Sequence, residues 1–95
     1  MNTANTTGIV SKPFVTTDLE HADAEISDMR KTLLNDIKSY VTAKKLTQIQ
    51  AAEHLGIGQS GVSLILNGRH EKFSLQALVS MQIRIGRRVT IQVQA

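Results

Sequence analysis

The chain has 95 residues, enough for one small domain with a short arm, and its only large aromatic side chains are one tyrosine and two phenylalanines. It has no cysteine, which excludes disulfides and thiolate metal sites, and no apolar run long enough to cross a bilayer. Residues 1–28 hold one lysine against five carboxylates, whereas residues 29–95 hold ten Lys/Arg against three. The basic part favours a polyanionic partner and equally fits a merely solvated surface, so charge alone leaves both alternatives open.

The first segment, residues 1–23, is polar and shows no lasting apolar period, which predicts a flexible, acidic N-terminal arm. Two apolar pairs interrupt it, Ile9-Val10 and Phe14-Val15. The arm is either an element that folds on contact with a partner or simply a loose tail.

A helical period begins near residue 24 and lasts to about residue 45. Apolar side chains recur every three or four residues and share one face: Ile26, Met29, Leu33, Ile37, Tyr40 and Val41. Acidic residues near the start and Lys44-Lys45 near the end match the helix macrodipole.

Two short helices follow, joined by a tight turn. Thr47 can cap the first helix and Gly56 ends it. The predicted inner face of that helix consists of Ile49, Ala52 and Leu55. The second helix runs from about Gln59 to Leu66 and buries Val62 and Ile65 against the first. A small residue at 52, a glycine at 56 and apolar residues at 62 and 65 are the packing pattern of a helix-turn-helix unit.

The remaining chain predicts one more helix and a strand. Ser74 can cap a helix that ends at Gly86, which closes a helical domain over residues 24–86. Residues 87–95 alternate apolar and polar side chains, and Val89, Ile91 and Val93 share one face. A lone strand leaves its backbone groups unpaired, so we expect it to pair with its copy in a homodimer.

The run TQIQAAEHLGIGQSGVSLILNG resembles the helix-turn-helix of phage-repressor-like (Xre/Cro) regulators. The run KFSLQALVSMQIRIGRRVTIQVQA extends the likeness to a subgroup with HigA-like antitoxins. The resemblance implies an all-α, lambda-repressor-like fold of four to five helices, with a C-terminal β-strand pairing across a dimer. It also implies that the second short helix enters the DNA major groove while the first crosses the backbone.

Mapped onto this sequence, the resemblance gives two sets of DNA contacts. Gln59 is the leading base reader, because a glutamine amide can bond adenine at two positions. The expected base-reading residues are Gln59, Ser60, Ser63, Leu64 and Asn67. The expected phosphate contacts are Thr47, Gln48, Gly58, Arg69 and Lys72. By the same resemblance, Gln48 would also brace Gln59.

Several residues keep alternative interpretations at this stage. Gly61 stands where the family commonly has a longer polar or basic side chain; either it lets the helix backbone approach DNA closely, or the reader helix is less specific. Arg84, Arg87 and Arg88 could contact phosphate, bind an acidic partner or keep a strand edge soluble.

The expected function is that of a cytoplasmic, sequence-specific transcriptional repressor acting on an operator in double-stranded DNA. The antitoxin resemblance adds a small basic toxin of the RelE/HigB type, which the chain would neutralise while repressing its own operon; the alternative is a stand-alone phage- or prophage-type repressor. The toxin contacts would lie in the arm, at Ile9, Val10, Phe14, Val15, Asp18 and Glu20. The histidines lack metal-site spacing and no nucleophile motif occurs, so we expect no metal, no cofactor and no catalysis.

Overall fold

The computed structural model describes residues 16–95, and four α-helices hold most of them. The helices are α1, Thr16–Ala43; α2, Gln48–Leu55; α3, Gln59–Leu66; and α4, Leu75–Arg84, with a single 3₁₀ turn at His70–Lys72 between α3 and α4. The predicted helical class is therefore confirmed. No helix within residues 16–95 is long and apolar enough to span a membrane.

All four helices contribute side chains to one apolar core. The buried core residues are Leu34, Ile37 and Val41 of α1, Ala51 and Leu55 of α2, Val62 and Ile65 of α3, and Leu78 and Met81 of α4. Because Tyr40 and Phe73 lie only at its edge, the core of the described residues is aliphatic, as the composition predicts. Burial of these faces packs α1 against α4 and α3, and α2 against α3 and α4.

Helix α1 begins earlier than the sequence predicts. It starts at Thr16, so residues 16–23, which the sequence pattern predicts to be part of the arm, are helical. The side chains of residues 16–25 are all exposed, and no core contact selects this part of the helix. The apolar period detects only helix faces that are buried, and it misses an extension whose residues favour helix on their own, such as Leu19, Glu20 and Ala22.

Helix α4 is locked to α1 by a polar contact beside the core. Gln82 is buried, and its Nε2 donates to Asp36 Oδ2 at 2.7 Å. Arg87 donates to the same carboxylate oxygen at 2.8 Å, and its backbone N–H donates to Gln82 O at 2.9 Å. The chain leaving α4 is therefore held against α1 before the tail begins.

The C-terminal tail forms no strand in the single chain. Residues 87–95 have no regular secondary structure, which corrects the expectation of a strand at this level. A strand needs a partner for its backbone groups, and no described segment of the same chain offers one. Ile91 and Val93 are each 88% exposed, while Val89 is less so and lies beside α1 and α4.

Candidate functional site

The N-terminus of α2 is organised by Thr47. Its Oγ1 accepts from Gln50 N–H at 3.2 Å, and its own N–H donates to Gln50 Oε1 at 2.9 Å. This reciprocal capping box satisfies two backbone donors and starts the helix at Gln48. Gln48 is exposed, and its side chain makes no hydrogen bond to residues 16–95, including Gln59. The bracing of Gln59 by Gln48 is therefore not present in the free chain.

The buried face of α2 differs from the predicted one by one residue at its start. Ala51 and Leu55 are buried, Ala52 is half-buried, and Ile49 is 60% exposed. An eight-residue helix holds two apolar stripes about 100° apart, and the sequence alone does not say which one faces the core. The register instead follows from the turn, where Gly56 and Ile57 both donate to Ala52 O.

The turn between α2 and α3 depends on glycine. Gly56 has φ +71°, in the left-handed region that L side chains avoid. Gly58 then precedes α3 as its N-cap and provides no side-chain acceptor. The first N–H groups of α3 therefore have no side-chain partner within residues 16–95, which suits a nearby anion.

Helix α3 is apolar inside and polar outside. Val62 and Ile65 are fully buried, whereas Gln59, Ser60 and Asn67 are exposed, and Ser63 and Leu64 are half-buried. None of the polar side chains in this group is hydrogen-bonded to the described part of the chain. The exposed surface of α3 therefore offers uncommitted donors and acceptors along a helix of about 12 Å.

Gly61 has a packing role that neither sequence interpretation included. A Cβ at this position would lie 3.1 Å from Ile57 Cδ1 and 3.6 Å from Ile57 Cβ. The missing side chain therefore leaves room for the corner residue of the turn. A side chain here would point toward the turn, so the glycine does not remove an outward contact.

The segment after α3 carries mixed charge. Arg69 Nε donates to Glu71 Oε2 at 2.6 Å, and both side chains are about half exposed. This hydrogen bond, together with a backbone one, lowers the pKa of Glu71 below its usual value. His70 Nε2 is hydrogen-bonded to Ser27 Oγ at 3.2 Å, which ties the segment to α1. Lys72 is exposed and has no ion-pair partner among residues 16–95.

The structure gives two of the three C-terminal arginines intramolecular partners. Arg84 donates to the backbone carbonyls of Glu53 and His54, at the end of α2. Arg87 pairs with Asp36, and its Cζ lies 5.3 Å from the Tyr40 ring centroid, a ring that Lys44 Nζ also approaches, at 5.6 Å. No sequence signal reveals the Arg84 contact, because its acceptors are main-chain atoms about thirty residues away.

The remaining predicted residues lie away from α3 or outside the structure. Ile9, Val10, Phe14 and Val15 lie outside the described residues. Asp18 and Glu20 are exposed on the first turns of α1. Residues 16–95 contain no group of three His, Cys, Asp or Glu side chains that could hold a metal ion.

A comparison with protein families adds an independent finding. A family profile described as a helix-turn-helix domain matches residues 15–94, which is most of the chain and includes α1 through the tail. Searches of curated proteins and of solved structures give no match. The matched region contains the α2–turn–α3 unit with its glycine turn and its polar outer face. The chain therefore belongs to a family of helix-turn-helix domains, the kind of domain found in DNA-binding transcription regulators.

Proposed function

We propose that the chain is a sequence-specific transcriptional repressor of the phage-repressor-like (Xre/Cro) kind, which binds operator DNA as a homodimer. The observation that carries the proposal is the outer face of α3. The inner side chains of α3 are buried in the core. Gln59, Ser60 and Asn67, in contrast, are exposed, and their side chains make no hydrogen bond to residues 16–95. Amide and hydroxyl groups on a helix of this size fit the base edges of the major groove.

Basic residues near α3 and α2 supply the sequence-independent part of the affinity. Lys72 follows α3, and Lys44 and Lys45 precede the N-terminus of α2. Both helices also present backbone N–H groups at their N-termini. Such contacts to phosphate orient a protein on the duplex without reading its sequence.

The test of base reading is a binding assay with Gln59→Ala. Fluorescence anisotropy on DNA from the region upstream of the chain's own gene should show specific binding at physiological salt. Gln59→Ala should relax the preference at one base pair of each half-site and weaken binding about 10-fold per half-site, because a bidentate base contact contributes roughly 1–3 kcal/mol. Gln94→Ala, the same change at an exposed tail position, is the control and should leave both quantities unchanged. Equal binding of the wild-type chain to all sequences would contradict the proposal.

A groove beside the tail supports the homodimer. It has a volume of about 400 Å³ and lies between α1, α4 and residues 89–92. Its apolar lining includes Met29, Leu33, Leu75, Val79, Val89 and Ile91. A second tail paired along this edge would cover the groove and satisfy the backbone groups of both tails. The two α3 helices would then read half-sites about 34 Å apart, one turn of DNA.

A second candidate function, that of an antitoxin of the HigA-like subgroup, is favoured by the N-terminal part of α1. Residues 16–28 carry five carboxylates and no lysine or arginine, and residues 16–25 make no core contact. Leu19 is 52% exposed on this extension. An acidic helix with an exposed leucine fits a basic protein partner, and a small RelE/HigB-like toxin has that chemistry.

The antitoxin candidate is tested with the product of the adjacent reading frame. A small basic protein encoded there should co-purify with the chain, and deletion of residues 1–25 should release it while DNA binding persists. Reversing three acidic charges with Glu20→Lys, Asp23→Lys and Glu25→Lys should weaken the complex at low salt more than at high salt. Retention of the complex after the deletion would place the contact elsewhere, and the absence of such a frame would favour a stand-alone repressor.

A further inference from the structure

The last residue of α4, Arg84, reaches back to the C-terminal end of α2. Its Nη2 donates to Glu53 O at 3.2 Å, and its Nε donates to His54 O at 3.4 Å. The last four carbonyls of a helix have no partners inside the helix. Ala52 O is satisfied by the turn itself, through Gly56 and Ile57 N–H. Arg84 therefore supplies donors to the next two carbonyls, which the turn leaves open.

The same side chain lies directly against the turn glycine. A Cβ at Gly56 would come within 2.5 Å of Arg84 Nε and 2.8 Å of its Cδ and Cζ. Glycine at position 56 is thus favoured twice: its φ of +71° suits glycine, and a Cβ would have to displace the end of the Arg84 side chain. A residue with a Cβ at position 56 would therefore force the Arg84 side chain out of its observed position.

A second contact holds the end of α2 from α1. Tyr40 Oη and His54 Nδ1 are hydrogen-bonded at 3.1 Å. The end of α2 at His54 is therefore held by α1 through Tyr40 and by α4 through Arg84. Since only Gly56–Gly58 separate the two helices, the position of the α2 end sets the position from which α3 departs.

We propose that Arg84 is a positioning residue of the DNA-reading unit: it caps the C-terminus of α2 from α4 and thereby fixes the turn that aims α3. Its effect on DNA rests on the proposed function, whereas its effect on the turn does not. The guanidinium donates to main-chain carbonyls. Its contribution to DNA binding therefore comes from the orientation of α3 and not from a direct contact with phosphate.

The contact with the turn is tested by a double-mutant cycle in thermal unfolding, without DNA. Arg84→Ala should lower the midpoint by about 5 °C, because a domain of this size loses roughly 4–8 °C per kcal/mol. Gly56→Ala should lower it further in the wild-type chain than in the Arg84→Ala chain, where the clash is removed and only the φ cost remains. Equal shifts in both backgrounds would overturn the contact. If Gly56→Ala fails to fold, Gly56→Asn, which tolerates the left-handed conformation, serves in the same cycle.

The positioning role is tested by the salt dependence of operator binding. Arg84→Ala should weaken specific binding about 5- to 10-fold and relax the preference at the base pair assigned to Gln59, with an unchanged slope of log affinity against log salt. Lys72→Ala, a proposed phosphate contact, should instead reduce that slope by about 0.9 per subunit. A slope reduced by Arg84→Ala as by Lys72→Ala would identify a phosphate contact and overturn the positioning role. Absence of all specific binding by the wild-type chain would count against the proposed function alone, and the unfolding cycle would still decide the contact.

Discussion

At the scale of single residues, the positive charge available next to α3 is limited by Glu71. Arg69 is one of the two expected phosphate contacts after α3, yet its guanidinium is engaged with Glu71 at 2.6 Å. Lys72, the other, is exposed and unpaired within residues 16–95. Exposed ion pairs contribute little to stability, so Glu71 can compete with phosphate for Arg69, and losing the pair would change the stability of the fold little.

Removing that carboxylate should strengthen DNA binding. Glu71→Gln is expected to raise the affinity about 5-fold per subunit at low salt, since a released Arg69 adds a charge-assisted contact of roughly 1 kcal/mol. The salt slope should steepen by about 0.9 per subunit, as for one further phosphate neutralised. Glu25→Gln makes the same change in charge on the exposed extension of α1 and is the control. An equal gain from both variants would mean that net charge alone is responsible.

The pH dependence of the pair follows from the sign of its shift. The pKa of Glu71 is lowered in the folded chain, mainly by the hydrogen bond from Arg69. A lowered pKa in the folded state adds stability that is present above the unfolded-state pKa and is lost as the pH falls through the folded-state pKa. The carboxylate therefore stays charged at neutral pH. In urea titrations, Glu71→Gln should therefore be less stable than wild type at neutral pH, and the difference should vanish as the pH falls through the folded-state pKa.

Gly61 is the other residue with a defined expectation. Alanine gains about 1 kcal/mol over glycine inside a helix, but its Cβ would lie 3.1 Å from Ile57 Cδ1. The terminal methyl of Ile57 can rotate away from the new Cβ, at a cost that offsets part of the helix gain. Gly61→Ala should therefore raise the free energy of unfolding by about 0.5 kcal/mol in urea denaturation. In an Ile57→Val background, which lacks Cδ1, the gain should approach the full value. A loss in the wild-type background that persists in Ile57→Val would rule out this contact as the reason for the glycine.

At the scale of the helices, the end of α1 carries a strained residue. Lys45 has φ +54°, and its N–H donates to Thr42 O, while Leu46 N–H donates to Val41 O. This arrangement closes α1 with a left-handed residue, the position that glycine usually occupies. The lysine at this position therefore imposes a backbone cost that glycine would avoid.

Lys45→Gly should separate stability from DNA binding. The left-handed conformation costs an ordinary residue about 1 kcal/mol or more, and the greater freedom of unfolded glycine returns part of this, so the free energy of unfolding should rise by roughly 0.5 kcal/mol. DNA affinity should fall with the lost charge beside α2. Lys44→Gly removes the same charge at a position with negative φ and should lower both quantities. If Lys45→Gly also destabilised the chain, the strain would be absent in solution.

The elements that the sequence predicts correctly are those with a buried face or a capping residue. The spacing of Leu33, Ile37 and Val41 and the caps at Thr47 and Ser74 give three helix positions within a few residues. The apolar pattern predicts the start of α1 too late, because an exposed extension has no apolar period. The contacts of Gly61 and Arg84 were not predictable, because they depend on how α2, α3 and α4 meet in space.

At the scale of the whole molecule, the two proposed partners would occupy different parts of the chain. The described residues extend over 51 Å in their longest dimension and about 25 Å across. The acidic extension of α1 leads away from the core that holds α2 and α3, while the tail lies along α1 and α4. A protein partner on the extension and DNA on α3 can therefore be bound by one chain without sharing residues, apart from the Ser27–His70 link between them.

The homodimer gives the last prediction. Ile91 is 88% exposed in the single chain, although burying an isoleucine contributes about 1.5–3 kcal/mol. In a two-fold dimer the residue occurs twice, so Ile91→Asp should weaken dimerisation at least about 100-fold in sedimentation equilibrium. The folded monomer should keep its circular dichroism, since Ile91 makes no core contact. Binding to a palindromic operator should fall to the level of a single half-site, with about half the salt slope. Gln94→Asp, the same charge on the other side of the alternating tail, is the control; dimerisation unaffected by Ile91→Asp would exclude the tail as the interface.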